Sequence, residues 1–404
     1  MEQQRLEELI AAHRPGYALG QPFYTDPIIH RRELERFFLD AWLYAGHESE
    51  LPAVGDYLLV TVAGESVIVV HSAEDTFHAL VNVCRHRGSR ICATEKGHVR
   101  RLVCPYHGWT YGLDGALVGA REMGPDFDPS AYGLQAVAVE RLEGMLFVNL
   151  ATEPAPFDPL RKAMSAPLAP YGLAQTRVAH RQAYRIAGNW KLALENYCEC
   201  YHCAPAHPEY AAAHALADPR HRWKVSEAEA NAGIVAAGMS AETFDRAWLS
   251  AGAFGGECQH DRYPLREGYL TGSKSGDLLA PLLGGFREPV AVATDIQLGP
   301  CLFGLVYCDH AVLYRFLPES IGTTVCDVSW LVRADAESGR DYDLAALTWL
   351  WDVTTRADQR IIEANQDGVR SRFYRPGPLS TMETFQARFI DWYLARLGAG
   401  APSA

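Results

Sequence analysis

Apolar residues in the first 150 positions occur as short runs separated by glycine and polar residues. Strand-like runs cover 56–72, 77–84 and 98–118, and Gly-Glu and Asp-Gly pairs interrupt them. Runs of this kind, bounded by turn residues, are typical of β-strands joined by hairpins. They predict an antiparallel β domain that ends near Leu150. Ahead of it, apolar residues at helical spacing within 1–16 predict a short N-terminal helix.

The rest of the chain mixes helical periodicity with further strand-like runs. Apolar positions predict helices around 190–217 and 344–371. Strand-like runs lie between them, at 301–307, 310–318 and 326–333. This mixture predicts an α+β region whose sheet is flanked by helices. The segment 151–160, ATEPAPFDPL, carries three prolines and is interpreted as the junction between the two regions.

Composition excludes several classes of protein. The chain has 404 residues, with 49 acidic against 37 basic ones and a net charge of -12. No block of Lys and Arg stands out, which argues against a nucleic-acid partner. No run approaches the ~18 apolar residues of a membrane span, and the charged N-terminus lacks the apolar core of a signal peptide. We therefore expect a cytoplasmic enzyme of two domains with no membrane partner.

Four residues of the β-rich half form a metal-ligand pattern. VCRHRGSR offers Cys84 and His86, and VCPYHGWTYG offers Cys104 and His107 after a gap of 17 residues. A structural zinc site also takes two Cys and two His, but each loop that binds zinc usually carries either two Cys or two His. A Rieske [2Fe–2S] centre binds two Cys on one iron and two His on the other, which two mixed loops can supply. The pattern favours a Rieske cluster over zinc, and a glycine shortly after each histidine lets the loop close tightly.

The motifs CRHRG…CPYHGW and NWK…ENYxExYHCxxxH together resemble the large (alpha) subunit of Rieske non-haem iron oxygenases, from about Phe23 to Leu397. The resemblance implies an N-terminal helical segment over 1–40 and an all-β Rieske [2Fe–2S] domain over 41–155. It implies a catalytic domain over 156–404, with an antiparallel sheet flanked by helices. A mononuclear Fe(II) that activates O₂ is implied in that second domain.

Such an iron is held by two His and one carboxylate. His202 and His207 are the expected pair, and their spacing of five does not stack on a regular helix. Pro205 should break or distort the helix between them, so that both reach one iron. Cys198, four residues before His202, is a rival ligand, but a thiolate there risks oxidation. The family motif that the chain resembles specifies the histidines but no particular residue at the cysteine positions. We therefore interpret three thiols as packing residues: Cys198, Cys200 and Cys203.

The carboxylate ligand must come from elsewhere in the chain, and 351–371 offers four acids. Asp352 and Asp367 each have an arginine at helical spacing and are interpreted as surface ion pairs. Glu363 has polar neighbours, whereas Asp358 has isoleucines at i+3 and i+4 and should point inward, where a carboxylate needs a partner or a metal. The resemblance places the acid ligand five residues before a Glu, as here. We predict Asp358 as the ligand; a helix-capping or paired acid is the alternative.

Glu199 lies three residues before His202 and is predicted to share its helical face. There it can accept a hydrogen bond from the free ring nitrogen of that ligand. The resemblance implies more, because the family carries an acid here that bridges to a Rieske histidine of a neighbouring subunit. Glu199 would then link His107 of one subunit to His202 of the next, and a homotrimer is implied. Many ring dioxygenases have Asp at this position. The glutamate found here is similar to that of the family members that attack carnitine and related quaternary amines.

The resemblance implies reductive O₂ activation, with electrons passed singly from the cluster to the mononuclear iron. The chain has no GxGxxG fingerprint, so we expect a separate flavin/iron–sulfur reductase to supply electrons from NAD(P)H. The remaining partner is a small-molecule substrate. One alternative from another class is a Rieske electron carrier with no second iron.

Substrate predictions depend on finer similarity. ECYHC, RPGPLS (375–380) and the FIDWYLARL ending are similar to the glycine betaine, carnitine and stachydrine monooxygenase branch. This predicts hydroxylation and N-demethylation of a small quaternary ammonium compound with release of an aldehyde. A ring-hydroxylating oxygenase of an aromatic acid or hydrocarbon, with or without a β subunit, is the alternative. Six aromatic residues could form a cation–π cage: Tyr197, Tyr201, Tyr307, Tyr314, Phe316 and Trp330.

Overall fold

The computed structural model describes residues 2–214, 232–236 and 258–399; the last three positions of the predicted helical segment 190–217 lie outside these ranges. Its α-helices are α1 (Glu2–Ala11), α2 (Pro22–Thr25), α3 (Pro27–Glu33), α4 (Asp158–Leu168), α5 (Trp190–Tyr197), α6 (Cys203–Ala206), α7 (Pro208–Ala213), α8 (Leu344–Arg370) and α9 (Thr384–Gly398). A π-helical turn covers Leu34–Leu39. Short 3-10 turns cover Glu48–Glu50, Pro129–Tyr132, Ala169–Tyr171 and Leu173–Gln175.

Nine of the described strands lie wholly or mostly in the predicted runs, whereas the first, the fifth and the ninth to the thirteenth lie wholly or mostly outside them. The strands are β1 (Leu43–His47), β2 (Asp56–Val62), β3 (Glu65–Ala73), β4 (Thr76–Val81), β5 (Lys96–His98), β6 (Leu102–Val103), β7 (Thr110–Tyr111), β8 (Leu117–Gly119), β9 (Ala136–Leu142), β10 (Met145–Asn149), β11 (Thr176–Ile186), β12 (Cys258–Pro264), β13 (Val292–Leu298), β14 (Leu302–Val306), β15 (Ala311–Ser320) and β16 (Thr323–Arg333). The run 98–118 is shared among several short strands, because two loops interrupt it.

The first ten strands form two antiparallel sheets. One has the order β1-β10-β9-β4-β3-β2-β5, and the smaller one has the order β6-β7-β8. Hairpins connect β2 to β3 and β3 to β4, in register over most of their length. The predicted antiparallel β region is therefore confirmed. The loops that carry the Cys/His pairs follow β4 and join β6 to β7.

The remaining strands form one antiparallel sheet of order β11-β16-β15-β14-β13-β12. Helix α8 packs against β11, and α5 packs against β15 and β16. The α+β arrangement is confirmed. Asp343 caps α8 by accepting the Ala346 N–H at 2.7 Å, and the helix buries a stripe at intervals of three and four residues. That stripe includes Leu347, Trp351, Thr354, Thr355 and Ile362.

A buried ion pair ties the N-terminal helices to the catalytic half. Lys191 Nζ lies 2.6 Å from Glu33 Oε1, and both side chains are fully buried. Trp190 Nε1 and the Tyr393 hydroxyl also donate to this carboxylate, at 2.9 and 2.5 Å. Burial alone would raise the pKa of Glu33, but Lys191, His30 and Tyr393 outweigh burial and hold the pKa below its usual value. The Glu33 carboxylate of α3 therefore binds side chains of both α5 and α9.

Lys191→Met should lower the free energy of unfolding by about 3–5 kcal/mol, because it leaves the Glu33 charge buried without its counterion. Thermal unfolding of the purified protein, followed by calorimetry, measures the loss. A double variant that adds Glu33→Gln removes both charges and should regain most of it. A single variant that melts with the wild-type protein would contradict this role of the pair.

Candidate metal centres

The two Cys/His loops have the same backbone design. The N–H of Gly88 donates to the carbonyl of Cys84 at 2.9 Å, and the N–H of Gly108 donates to that of Cys104 at 3.1 Å. The two glycines have φ of 76° and 73°, in the left-handed region that other residues avoid. Each loop therefore turns back on itself directly after its cysteine, as the glycines in the sequence predict.

The side chains of these loops divide into an inner and an outer pair. Cys84 and Cys104 are buried, whereas His86 and His107 are exposed, with ring centroids 4.6 Å apart. The ring of Trp109 stacks on His86 at 4.8 Å and fixes its orientation. Two buried thiols and two outer imidazoles are the donor set of a [2Fe–2S] cluster whose histidine-bound iron faces the surface.

Tyr111 is a further residue of this centre that sequence reasoning missed. Its hydroxyl lies 3.2 Å from Cys84 Sγ and accepts the N–H of Arg85 at 3.1 Å. Burial and the bond to Cys84 raise the pKa of Tyr111, so the hydroxyl stays protonated and can donate to the thiolate. Hydrogen bonds to ligand sulfurs tune the potential of such clusters. A polar aromatic residue shortly after the CPYHGW loop is the signal that could have pointed to it.

The backbone around the second centre differs from the prediction. Helix α5 ends at Tyr197, the chain is non-helical up to His202, and His207 lies between the short helices α6 and α7. Pro205 lies in the first turn of α6, where proline is tolerated, and does not break a helix. One break precedes His202, and a second one at His207, two residues after Pro205, separates α6 from α7. Because α6 and α7 are separate, the two histidines can still face each other.

Three ligand atoms converge at this centre. Asp358 Oδ1 lies 2.8 Å from His207 Nε2 and 3.2 Å from His202 Nε2. Asp358 extends the buried stripe of α8 between Thr355 and Ile362, as its neighbouring isoleucines predict. Burial would raise the pKa of Asp358, but the two histidines outweigh burial and lower it. Two imidazoles and one carboxylate on one side of a site fit a non-haem iron donor set.

Glu199 contacts His202 through a turn and not through the predicted helix face. Its Oε1 accepts from His202 Nδ1 at 2.5 Å, and its Oε2 accepts the backbone N–H groups of Tyr201 and His202. This bond places the ring proton on Nδ1 and leaves Nε2 directed at Asp358. Burial lowers the pKa of His202, but the bonds to Asp358 and Glu199 raise it to about 10. Metal binding must displace the second ring proton.

The other acids of α8 have the predicted surface roles. Arg356 Nε lies 3.0 Å from Asp352, and Arg370 Nη1 lies 3.7 Å from Asp367. Glu363 accepts from Gln359 Nε2 at 3.0 Å. None of the three acids belongs to the described convergent group, so α8 contributes only Asp358 to it.

The three thiols of the stretch have two different environments. Cys198 is buried in the core, as predicted for a packing residue. Cys200 and Cys203 also line the cavity beside the histidines. Their sulfurs do not belong to the described group of converging ligand atoms. They shape the cavity in addition to packing.

The converging atoms face a cavity of about 640 Å³, its open mouth included. Five aromatic residues line it: Tyr197, Tyr210, Tyr314, Phe316 and Trp351. Three of them were predicted from the sequence, whereas Tyr210 and Trp351 were missed.

Three predicted cage residues do not line this cavity in the described part of the chain. Tyr201 is 57% exposed. The hydroxyl of Tyr307 lies 2.7 Å from His214 Nε2, and Trp330 packs against the ring of His180 at 5.4 Å.

Comparison with known protein families decides the class. The Rieske [2Fe-2S] domain family matches residues 41–139, and the family "ring hydroxylating alpha subunit (catalytic domain)" matches residues 173–399. The chain belongs to the ring-hydroxylating alpha-subunit family. It is a Rieske non-haem iron oxygenase that uses a [2Fe–2S] cluster, mononuclear iron and O₂, with NAD(P)H electrons from a separate reductase. The predicted class and cofactors are confirmed; the division at 1–40, 41–155 and 156–404 stays a prediction.

Two relatives resemble the chain over nearly its whole length. The glycine betaine monooxygenase oxygenase subunit of Chromohalobacter salexigens is 38% identical and covers 98% of this chain and 90% of its own. The carnitine monooxygenase oxygenase subunit of Escherichia coli is 26% identical, over 91% and 88%.

A solved structure of a quaternary ammonium Rieske monooxygenase has a TM-score of 0.75 at 22% identity, over 96% of this chain and 98% of that one. That likeness shows the fold alone. No helix in the described part of this chain is long and apolar enough to cross a membrane.

Proposed function

We propose that this oxygenase hydroxylates an N-methyl group of a small, betaine-like quaternary ammonium compound. The hydroxymethyl group then loses its O–H proton to water and leaves as formaldehyde, while the C–N bond breaks and its electron pair becomes the lone pair of the tertiary amine. The observation that carries the proposal is the aromatic cavity that opens at the His202, His207 and Asp358 group. A quaternary ammonium has no N–H to donate, so aromatic ring faces are its natural partners.

The relatives support the same substrate class. Similarity to a glycine betaine monooxygenase oxygenase subunit extends over 98% of the chain, so it includes the segments that form the cavity. The anthranilate 1,2-dioxygenase large subunit of Acinetobacter baylyi matches only 58% of the chain. Ring hydroxylation is therefore the less supported alternative.

Each protein residue has a defined task in the proposal. Cys84, His86, Cys104 and His107 hold the cluster, and His202, His207 and Asp358 hold the mononuclear iron. When bound, the two centres supply electron storage and O₂ activation. Glu199 fixes the Nδ1 proton of His202 and so aims Nε2 at the metal position. Apolar and aromatic side chains around the cavity limit the access of water to the reacting methyl group.

We also propose that the chain works as a homotrimer with electron transfer between subunits. The surface around the Rieske loops supports this, because apolar residues in or beside the loops, Val83, Val103 and Tyr106, are exposed in the single chain, as is Val118 on β8. Exposed Tyr201 adjoins Glu199 at the other centre. Apolar surface of this kind marks contact sites. By this arrangement Glu199 would join His202 to His107 of the next subunit. A cytoplasmic location stays a prediction.

A substrate panel tests the proposed function. The purified oxygenase, a generic reductase, NADH and O₂ are combined with glycine betaine, carnitine, benzoate or anthranilate. The proposal predicts NADH oxidation coupled to formaldehyde release with at least one quaternary ammonium compound. Hydroxylated rings with uncoupled turnover of every betaine would favour the ring-hydroxylating alternative.

A further inference from the structure

An acid that neither metal centre uses lines the aromatic cavity. Asp295 lies in the middle of β13 and is paired with Leu305 of β14, which lines the same cavity. Directly paired residues of antiparallel strands present their side chains on one face of the sheet. Among the described residues that line the cavity, the acids are Glu199, Asp358 and Asp295. Asp295 is thus the acid on the sheet side of the cavity.

Besides Leu305 and Gln297, this face of the sheet carries aromatic residues near Asp295. Phe303 of β14 is paired with Tyr314 of β15, and the ring of Tyr197 lies 4.6 Å from Phe303 and 5.4 Å from Tyr314. Burial raises the pKa of Tyr197, and the negative charge of Asp295 raises it further. The carboxylate is therefore close enough for its charge to act on the cavity.

We propose that Asp295 provides the counter-charge for the cationic head of the substrate and makes the cavity select a cationic head over an uncharged head of the same shape. This deepens the proposed function and depends on it. A quaternary ammonium is screened by its methyl groups, so it is attracted through space by a carboxylate and by ring faces together. An uncharged aromatic ligand is not attracted by the Asp295 carboxylate, yet its binding removes that carboxylate from contact with water. The carboxylate of a betaine is repelled and points away from Asp295.

The test compares two ligands that differ in one atom. Glycine betaine and 3,3-dimethylbutanoate have the same shape, but the second has carbon where the first has charged nitrogen. Dissociation constants are measured by calorimetry on the anaerobic holoenzyme, so no ligand is consumed. Asp295→Asn should weaken betaine binding by about 10–100-fold, because it removes one near charge. Binding of the isostere, which keeps the carboxylate but has an uncharged head, should not weaken, because the shape of the cavity is kept and the repulsion by Asp295 is removed.

A control variant and two outcomes decide the matter. Asp335→Asn removes a charge that is 71% exposed and does not belong to the described lining of the cavity, and it should leave both affinities unchanged. Retained Rieske absorption and iron content show that each variant is folded. Equal betaine affinity in Asp295→Asn and wild type, or equal loss for both ligands, overturns the role of Asp295 alone. A wild-type enzyme that binds and demethylates no betaine overturns the proposed function as well.

Discussion

Asp358→Ala should lower product formation more than about 100-fold, since loss of even an outer-shell partner of a metal ligand costs 10–100-fold. The variant loses the only carboxylate of the described ligand group and leaves two histidines, too few for tight iron binding. The Rieske loops are separate in sequence and in fold, so their cluster should stay. The measured iron content should fall from about three to about two atoms per chain, and the Rieske absorption should be unchanged.

A matched control lies on the same helix. Asp367→Ala removes an acid of α8 whose side chain is 83% exposed, and it should keep full iron and activity. Wild-type protein with only two irons would support the electron-carrier alternative instead. An Asp358→Ala protein that keeps three irons and full turnover would contradict the ligand assignment.

Glu199→Gln should lower turnover by about 100-fold while both metal centres stay loaded. Gln has the same length, but its amide cannot accept from two imidazole N–H groups as a carboxylate does. The bond that aims His202 is weakened, and the proposed link to the next subunit is lost. In stopped-flow mixing with O₂ and substrate, the reduced cluster of the variant should stay reduced where the wild-type cluster is oxidised. Unchanged turnover would exclude the bridge.

Mixed oligomers separate transfer between subunits from transfer within one. Chains with Cys104→Ser lack the cluster, and chains with Asp358→Ala lack the mononuclear iron. Each alone should be inactive. If electrons cross a subunit interface, random co-assembly should restore up to about a quarter of wild-type activity, the share of intact donor–acceptor pairs. No restored activity would confine electron transfer to single chains.

Much of the fold could be predicted from the sequence, because alternating and helical periods reflect burial directly. Strands β2–β4, β6–β8 and β14–β16 and the long helix α8 lie where such periods predict them, whereas β1, β5 and β9–β13 were missed. The same applies to Asp358, whose neighbours at i+3 and i+4 place it on the buried stripe. Glycines after the Cys/His pairs predict the left-handed turns that close the loops.

Other features depend on packing between distant elements, which periodicity does not encode. The turn at Glu199 and His202 is fixed by a carboxylate that caps two backbone N–H groups, and a helical extrapolation misses it. Tyr307 and Trp330 are aromatic residues of the same sheet region, yet they pack elsewhere. Asp295 lines the cavity because of the register of β13 against β14. The sequence of β13 alone does not show which face of the sheet carries this acid or what that face covers.

Single turnover tests the central claim most directly. The oxygenase is reduced, freed of reductase and mixed with glycine betaine and O₂ while Rieske absorption and formaldehyde are followed together. The account predicts that cluster oxidation and formaldehyde release rise together, and that neither occurs at this rate in Asp358→Ala. Cluster oxidation without formaldehyde from any quaternary ammonium compound would contradict it.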